Sequence, residues 1–139
     1  FNIINKKYQR TDAFSLDQTE MSLACGLREF DGESELKKLS QTLNAKYGWF
    51  TRGGSDTIGM TLSQSSCYCD SLEKTVIDTV GAGDAFCATA SLAATKGLPI
   101  ELATLVGQIA GAQAVRIVGN SDCINKVKFM KSLEALLNL

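Results

Sequence analysis

The stretch from Glu73 to Phe86, Glu73-Lys74-Thr75-Val76-Ile77-Asp78-Thr79-Val80-Gly81-Ala82-Gly83-Asp84-Ala85-Phe86, constrains this chain more than any other. The β-branched run Thr75 to Ile77 predicts a buried strand, Gly81 and Gly83 break it, and Asp84 opens a segment of small residues that predicts a helix. Strand, turn and helix therefore meet at Gly81 to Asp84. A helix start offers unpaired backbone N–H groups and the positive end of the macrodipole, and glycines let a ligand approach that backbone. Such a turn suits an anion, and a carboxylate beside a bound phosphate can take a proton from an attacking hydroxyl. The plainer alternative is a tight turn with an acid in the first turn of the helix.

The bulk properties narrow the function classes. A chain of 139 residues with 45% apolar content buries one ordinary core, so one domain is expected. The net charge is −1 and Lys and Arg are dispersed, so there is no basic stripe for nucleic acid. No apolar run is long enough to span a membrane or to read as a signal, and a cytoplasmic protein is expected. Five cysteines, Cys25, Cys67, Cys69, Cys87 and Cys123, are odd in number and irregularly spaced, which argues for a reducing compartment. Cys67-Tyr68-Cys69 has no second pair and the chain has no histidine, which argues against structural zinc and against His-dependent nucleophile systems. Carboxylates, backbone and bound ions are left to carry any chemistry. The first residues, Phe1-Asn2-Ile3-Ile4, predict the end of a buried strand and have no initiator methionine, so a C-terminal fragment or a piece of a longer protein is expected.

Asp78-Thr79-Val80-Gly81-Ala82-Gly83-Asp84 resembles the C-terminal signature of the ribokinase-like (PfkB) sugar kinases, Asp-Thr-x-Gly-Ala-Gly-Asp. The resemblance implies that Asp84 is the catalytic base and that the amides of Ala82, Gly83 and Asp84, following Gly81, form an anion hole for the transferring phosphoryl group. It also implies ATP, Mg²⁺ and a monovalent cation, K⁺, as cofactors. Family members are about twice as long, so the chain would be the C-terminal nucleotide-binding and catalytic portion (residues 1–139) of a sugar kinase domain, with the substrate half absent.

Upstream, Ala13 to Leu16 predicts a short strand, and Asp17-Gln18-Thr19-Glu20 starts a helix carrying Met21, Leu23 and Ala24. Asp followed three places on by Glu is a capping-box pattern, which explains both residues structurally. The family carries Asn-x-x-Glu at this strand end, tied to the Mg²⁺ and phosphate network, and here Asp17 replaces the Asn while Glu20 matches. Ser34 to Tyr47 predicts an outer helix on Leu36, Leu39 and Leu43, ending at Gly48. Trp49 to Arg52, Thr57 to Leu62 and Cys67 to Cys69 predict strands in hairpin-like succession. Thr51-Arg52-Gly53 and Gly59 fit a family pattern that implies a loop along the nucleotide phosphates; without it, Gly53-Gly54 reads as a turn.

Past the signature, the residues from Ala85 to Lys96 predict a close-packed helix stopped by Gly97, and Pro99 opens the next, with Leu102, Val106, Ile109 and Ala110 as its core stripe. Gln108 stands where many family members place an Asn near the nucleotide base. The resemblance further implies a cation held by Asp78, Val80, Ala114, Ile117 and Gly119, against the alternative that Asp78 caps the turn. Ile124 to Leu139 predicts an amphipathic closing helix over the sheet, with Val127, Met130, Leu133 and Leu137 on one face.

Alternating strands and helices argue for an α/β fold, a three-layer α/β/α, mostly parallel architecture. The expected activity is ATP-dependent phosphorylation of a sugar-like hydroxyl. Within the family, Gly59-Met60-Thr61-Leu62 and Val118-Gly119-Asn120-Ser121 resemble the heptose kinase half of bifunctional ADP-heptose synthases, which are joined to a nucleotidyltransferase. A homodimer is the further partner expected. Two other readings stand beside the kinase: a non-catalytic nucleotide-binding or regulatory module, and a dinucleotide-binding oxidoreductase domain. The latter fits Gly81-x-Gly83 but meets Phe86 where a third small residue belongs.

Overall fold

A computed structural model describes residues 4–63, 65–73, 75–118 and 121–138, and for Asn5 the backbone alone. After the short helix α1 (Ile4–Lys7), β1 (Ala13–Asp17) leads into α2 (Gln18–Cys25) and α3 (Gly32–Thr42). A meander follows, β2 (Tyr47–Thr51), β3 (Asp56–Thr61) and β4 (Ser66–Asp70), and then α4 (Ala82–Thr95), α5 (Ile100–Ala114) and α6 (Lys126–Leu137). The expected strand at the start of the chain falls mostly on residues 1–3, outside the described residues, and Ile4 belongs to α1.

The four strands lie in the order β1-β2-β3-β4. β1 runs parallel to β2, whereas β2–β3 and β3–β4 are antiparallel, so the mostly parallel sheet expected for this chain is here a mixed one. The reason is connection length. The links after β2 and β3 are short hairpin turns, and a parallel return needs a crossover long enough for a helix, such as α2 and α3 provide between β1 and β2.

Alternation along β2 builds two cores. Phe50 joins Phe14, Leu16, Met21, Leu36, Leu39 and Met60, while its neighbour Trp49 packs with Cys67, Phe86, Ala90 and Ala94. The first cluster lies under α2 and α3, the second under α4 and α5. Trp49 and Phe86 meet edge to face with ring centroids 6.1 Å apart, and Trp49 Nε1 donates to Thr104 Oγ1 at 3.0 Å. These contacts pin both helices to the sheet.

α3 ends before the residue expected. Leu43 is its cap, Asn44 takes the left-handed conformation (φ +48°), and Gly48 is a strand residue opposite Phe14. Gly48 is small because a Cβ there would lie 2.8 Å from Ser40 Oγ and 2.9 Å from the Phe14 ring. On α5, Ile109 and Ala110 are buried as expected, but Leu102 and Val106 are half-buried, and Ala103, Thr104, Gly107 and Gln108 take the inner positions. α5 packs against both α4 and the sheet, so small residues win where backbones approach: a Cβ on Gly107 would sit 2.7 Å from the Phe86 ring.

Two expectations fail outside the cores. The run Thr75 to Ile77 is no strand; it lies in an irregular segment after β4, with Val76 and Ile77 exposed. It has no ladder to join, and the amides of Ile77 and Asp78 both donate to the Val115 carbonyl, at 2.9 and 3.0 Å. Likewise α6 packs on α5 with no residue buried, leaving Val127, Met130 and Leu137 exposed; it does not cover the sheet among the described residues. No helix among the described residues is long and apolar enough to cross a membrane.

Candidate active site

A cleft of about 480 Å³ opens between the ends of β1 and β2, the segment 71–80 and the facing turns of α4 and α5. That volume is of the size that holds a nucleotide-sized ligand. Its geometry follows from three local structures.

The first is the start of α4. Gly81 is the N-cap, at φ +81°, a conformation that favours glycine, and no side chain caps the helix. Ala85 N donates to Gly81 O at 2.9 Å and Ala82 N to Thr79 O at 3.2 Å. Of the three amides expected to bind an anion, that of Ala82 is thus engaged in a turn. The amides of Gly83 and Asp84 have no acceptor among the described residues. Ala82 and Gly83 line the cleft, and a Cβ on Gly83 would meet nothing within 4 Å, so the approach is open. Asp84 is exposed on the first turn, beside the cleft and outside its lining.

The second is the β1–β2 end. Asp17 and Glu20 form a complete capping box: Asp17 Oδ1 accepts from Glu20 N at 2.8 Å and Glu20 Oε2 accepts from Asp17 N at 2.9 Å. Asp17 lines the cleft and Glu20 does not. One oxygen of each carboxylate is used by the cap, and the pair fits Mg²⁺ only in the way that ion is usually held, by one or two carboxylates with water and phosphate. No group of three or more acidic or cysteine side chains suited to a metal occurs among the described residues. Thr51, Arg52 and Gly53 line the cleft as well. Gly53 is at φ +58° in the β2–β3 turn, and Arg52 pairs through Nε and Nη2 with Asp56, whose carboxylate holds the guanidinium pKa above its ordinary value. Gly59 is elsewhere. It is buried under α5, where a Cβ would lie 2.5 Å from Thr104 Oγ1, and its smallness serves packing rather than a phosphate.

The third is the inner face of α5. Gln108 is buried, and its amide nitrogen donates to Thr57 Oγ1 at 2.7 Å and to the Cys69 carbonyl at 3.4 Å. Both residues of the closer pair line the cleft. Sequence reasoning missed Thr57, although its register opposite Thr51 puts two threonines across neighbouring strands, and it missed Gly111, one turn beyond Gln108. It also missed Glu73 as a wall residue.

The residues expected to hold a cation are partly brought together. Val115 O joins the 77–78 segment to the end of α5, Asp78 Oδ1 accepts from Val80 N at 2.9 Å, and Ala114 O accepts from Ile117 N at 2.9 Å. Asp78 thus does cap the turn, as the plainer alternative has it, while Gly119 lies outside the described residues. None of Asp78, Val80, Ala114 and Ile117 lines the cleft.

Among known proteins, the sequence pattern of the pfkB family carbohydrate kinases matches residues 7–127. A comparison with curated proteins gives no match. Among solved structures, the chain is similar to phosphofructokinase-2 from Escherichia coli in complex with potassium (TM-score 0.78, 19% identity, 94% of this chain and 42% of that one). It is also similar to ribokinase from Arabidopsis thaliana complexed with ribose and ATP (0.75, 21%, 94% and 43%) and to ribokinase from Thermotoga maritima (0.78, 19%, 94% and 44%). The chain spans less than half the length of each of these proteins.

Proposed function

The chain belongs to the pfkB family of carbohydrate kinases and has a ribokinase-like α/β fold, and on that premise we propose that it carries the nucleotide-binding and catalytic portion of a sugar kinase. The observation that carries the proposal is the start of α4: behind a glycine cap, the Gly83 amide has no acceptor among the described residues and belongs to the lining of a cleft of nucleotide size, with the Asp84 amide next to it. ATP lies along the cleft with its phosphates toward Gly83, Thr51 and Arg52. Its other end lies toward the apolar wall of Val76, Ala112 and Val115. Gln108 and Thr57 form the polar floor.

Asp84, exposed at the helix start, takes the proton from the acceptor hydroxyl as it attacks the terminal phosphorus. The Gly83 and Asp84 amides, with the helix dipole behind them, stabilise the charge on the migrating phosphoryl group. Asp17, with Glu20 paired to it in the cap, would hold Mg²⁺, which would supply positive charge against the phosphates. Asp78, Val80, Ala114, Ile117 and Gly119 would hold a monovalent cation, which would supply positive charge beside the turn. The sugar pocket belongs to a preceding half of a three-layer domain, the heptose kinase branch with a fused nucleotidyltransferase is the narrower assignment, and the protein works in the cytoplasm. By itself the chain binds nucleotide weakly and turns nothing over. The dinucleotide alternative is disfavoured by Phe86, whose ring fills the helix–sheet contact that a small residue would open.

The test is phosphate transfer from ATP by the intact protein to a panel of sugars, with Asp84→Asn as the control. Loss of the base lowers kcat by about a hundred- to ten-thousandfold while nucleotide binding persists. Unchanged turnover removes Asp84 from the base role, and absence of nucleotide binding in the unaltered protein removes the kinase reading.

A further inference from the structure

The segment 71–80 walls the cleft through Ser71, Glu73, Val76 and Thr79 and delivers the chain to Gly81, yet its apolar side chains Leu72, Val76, Ile77 and Val80 are exposed. Packing does not hold it. Ties that join its described residues to the rest of the fold include Ser71 N to Ser55 O at 3.0 Å, the two amides on Val115 O, and an ion pair of Arg116 with Glu73. The Glu73 carboxylate is central to the segment's own order: Oε1 accepts from Thr75 N at 2.8 Å, and Oε2 receives both Nε and Nη2 of Arg116. Its side chain is 11% exposed, against 64% for Arg116. Arg116 itself does not line the cleft.

We propose that Arg116 is a positioning residue for the nucleotide: through Glu73 it fastens the segment 71–80 to the end of α5 and cancels a negative charge on the wall of a cleft that must admit a polyphosphate. This rests on the nucleotide reading of the cleft. Removing the guanidinium loosens the wall and at the same time takes a positive charge away from the Glu73 carboxylate on the cleft wall, and both effects weaken ground-state binding. An ion pair with one exposed partner is a modest tie, so the effect is a modest one.

In the intact protein, Arg116→Gln raises KM for ATP about three- to fivefold with kcat unchanged, Glu73→Gln raises it less because the repelling charge goes too, and Arg116→Lys recovers most of the loss. Hydrogen exchange without nucleotide reads the fastening directly: the amides of Ile77 and Asp78 exchange several-fold faster in Arg116→Gln than in the unaltered protein. Equal KM and equal exchange in Arg116→Gln overturn the proposal, as does a fall in kcat with KM unchanged. If the unaltered protein binds no ATP, the nucleotide reading fails and the exchange result alone decides whether Arg116 fastens the segment.

Discussion

The two walls of the cleft are held by different forces. The β2–β3–β4 sheet is fixed by buried side chains on both faces: Trp49 under α4 and α5 and Ile58 and Met60 under α2 and α3 are almost inaccessible, Thr104 is fully buried, and a Cβ added at Gly59 or Gly107 would collide. The described residues of the segment 71–80 opposite are tied by backbone hydrogen bonds and an ion pair, with Leu72, Val76, Ile77 and Val80 exposed. A binding site made of one stiff wall and one lightly tied wall puts most of its resistance to unfolding on one side and most of its adjustability on the other.

That contrast is broken most severely by Trp49→Ala, which empties the core under α4 and α5 and removes the indole N–H donated to Thr104; urea titration is expected to show a loss of about 3–5 kcal/mol. Gly59→Ala is next, at about 1–3 kcal/mol, because Thr104, Cys67 and Ile100 all crowd the new methyl. Asp17→Ala removes the α2 cap for about 1 kcal/mol and, through the cleft, also weakens Mg²⁺-dependent nucleotide binding. On the other wall Ile77→Ser changes stability by less than about 0.5 kcal/mol, since its side chain is already in water. A destabilisation there as large as that of Gly59→Ala would erase the distinction between the walls. Thiol labelling sharpens it without mutation: burial pushes the Cys67 and Cys69 thiols above their ordinary range, so at neutral pH they stay protonated and react last, while exposed Cys123 reacts first. For the same reason stability declines as pH rises past the unfolded thiol pKa of about 8.5, where the unfolded chain ionises before the folded one.

The stiff wall was the legible one. Alternating apolar residues around Trp49 and Thr57, the turn at Gly53-Gly54, Gly97 and Pro99 between the last long helices and the box at Asp17 and Glu20 are local signals, and each stands in the structure near the expected place. What misled was context. Thr75 to Ile77 has strand chemistry with no strand to pair with, Gly48 and Gly59 are small for neighbours distant in sequence, and α6 has an amphipathic face without a surface under it. At the site, the glycine turn and Arg52 were readable, whereas Thr57 and Glu73 become wall residues only through strand register and the fold of the segment after β4.

One oxygen ties these walls together. The Val115 carbonyl, at the close of α5, accepts from two successive amides just ahead of the glycine turn. A carbonyl at a helix end is ordinarily left to water, and here it serves as a shared peg. The end of α5 and the lead-in to Asp84 consequently move as one piece, so a residue late in the chain sets the alignment of the turn that presents the aspartate, and whatever rotates the last turn of α5 retunes that alignment from a distance.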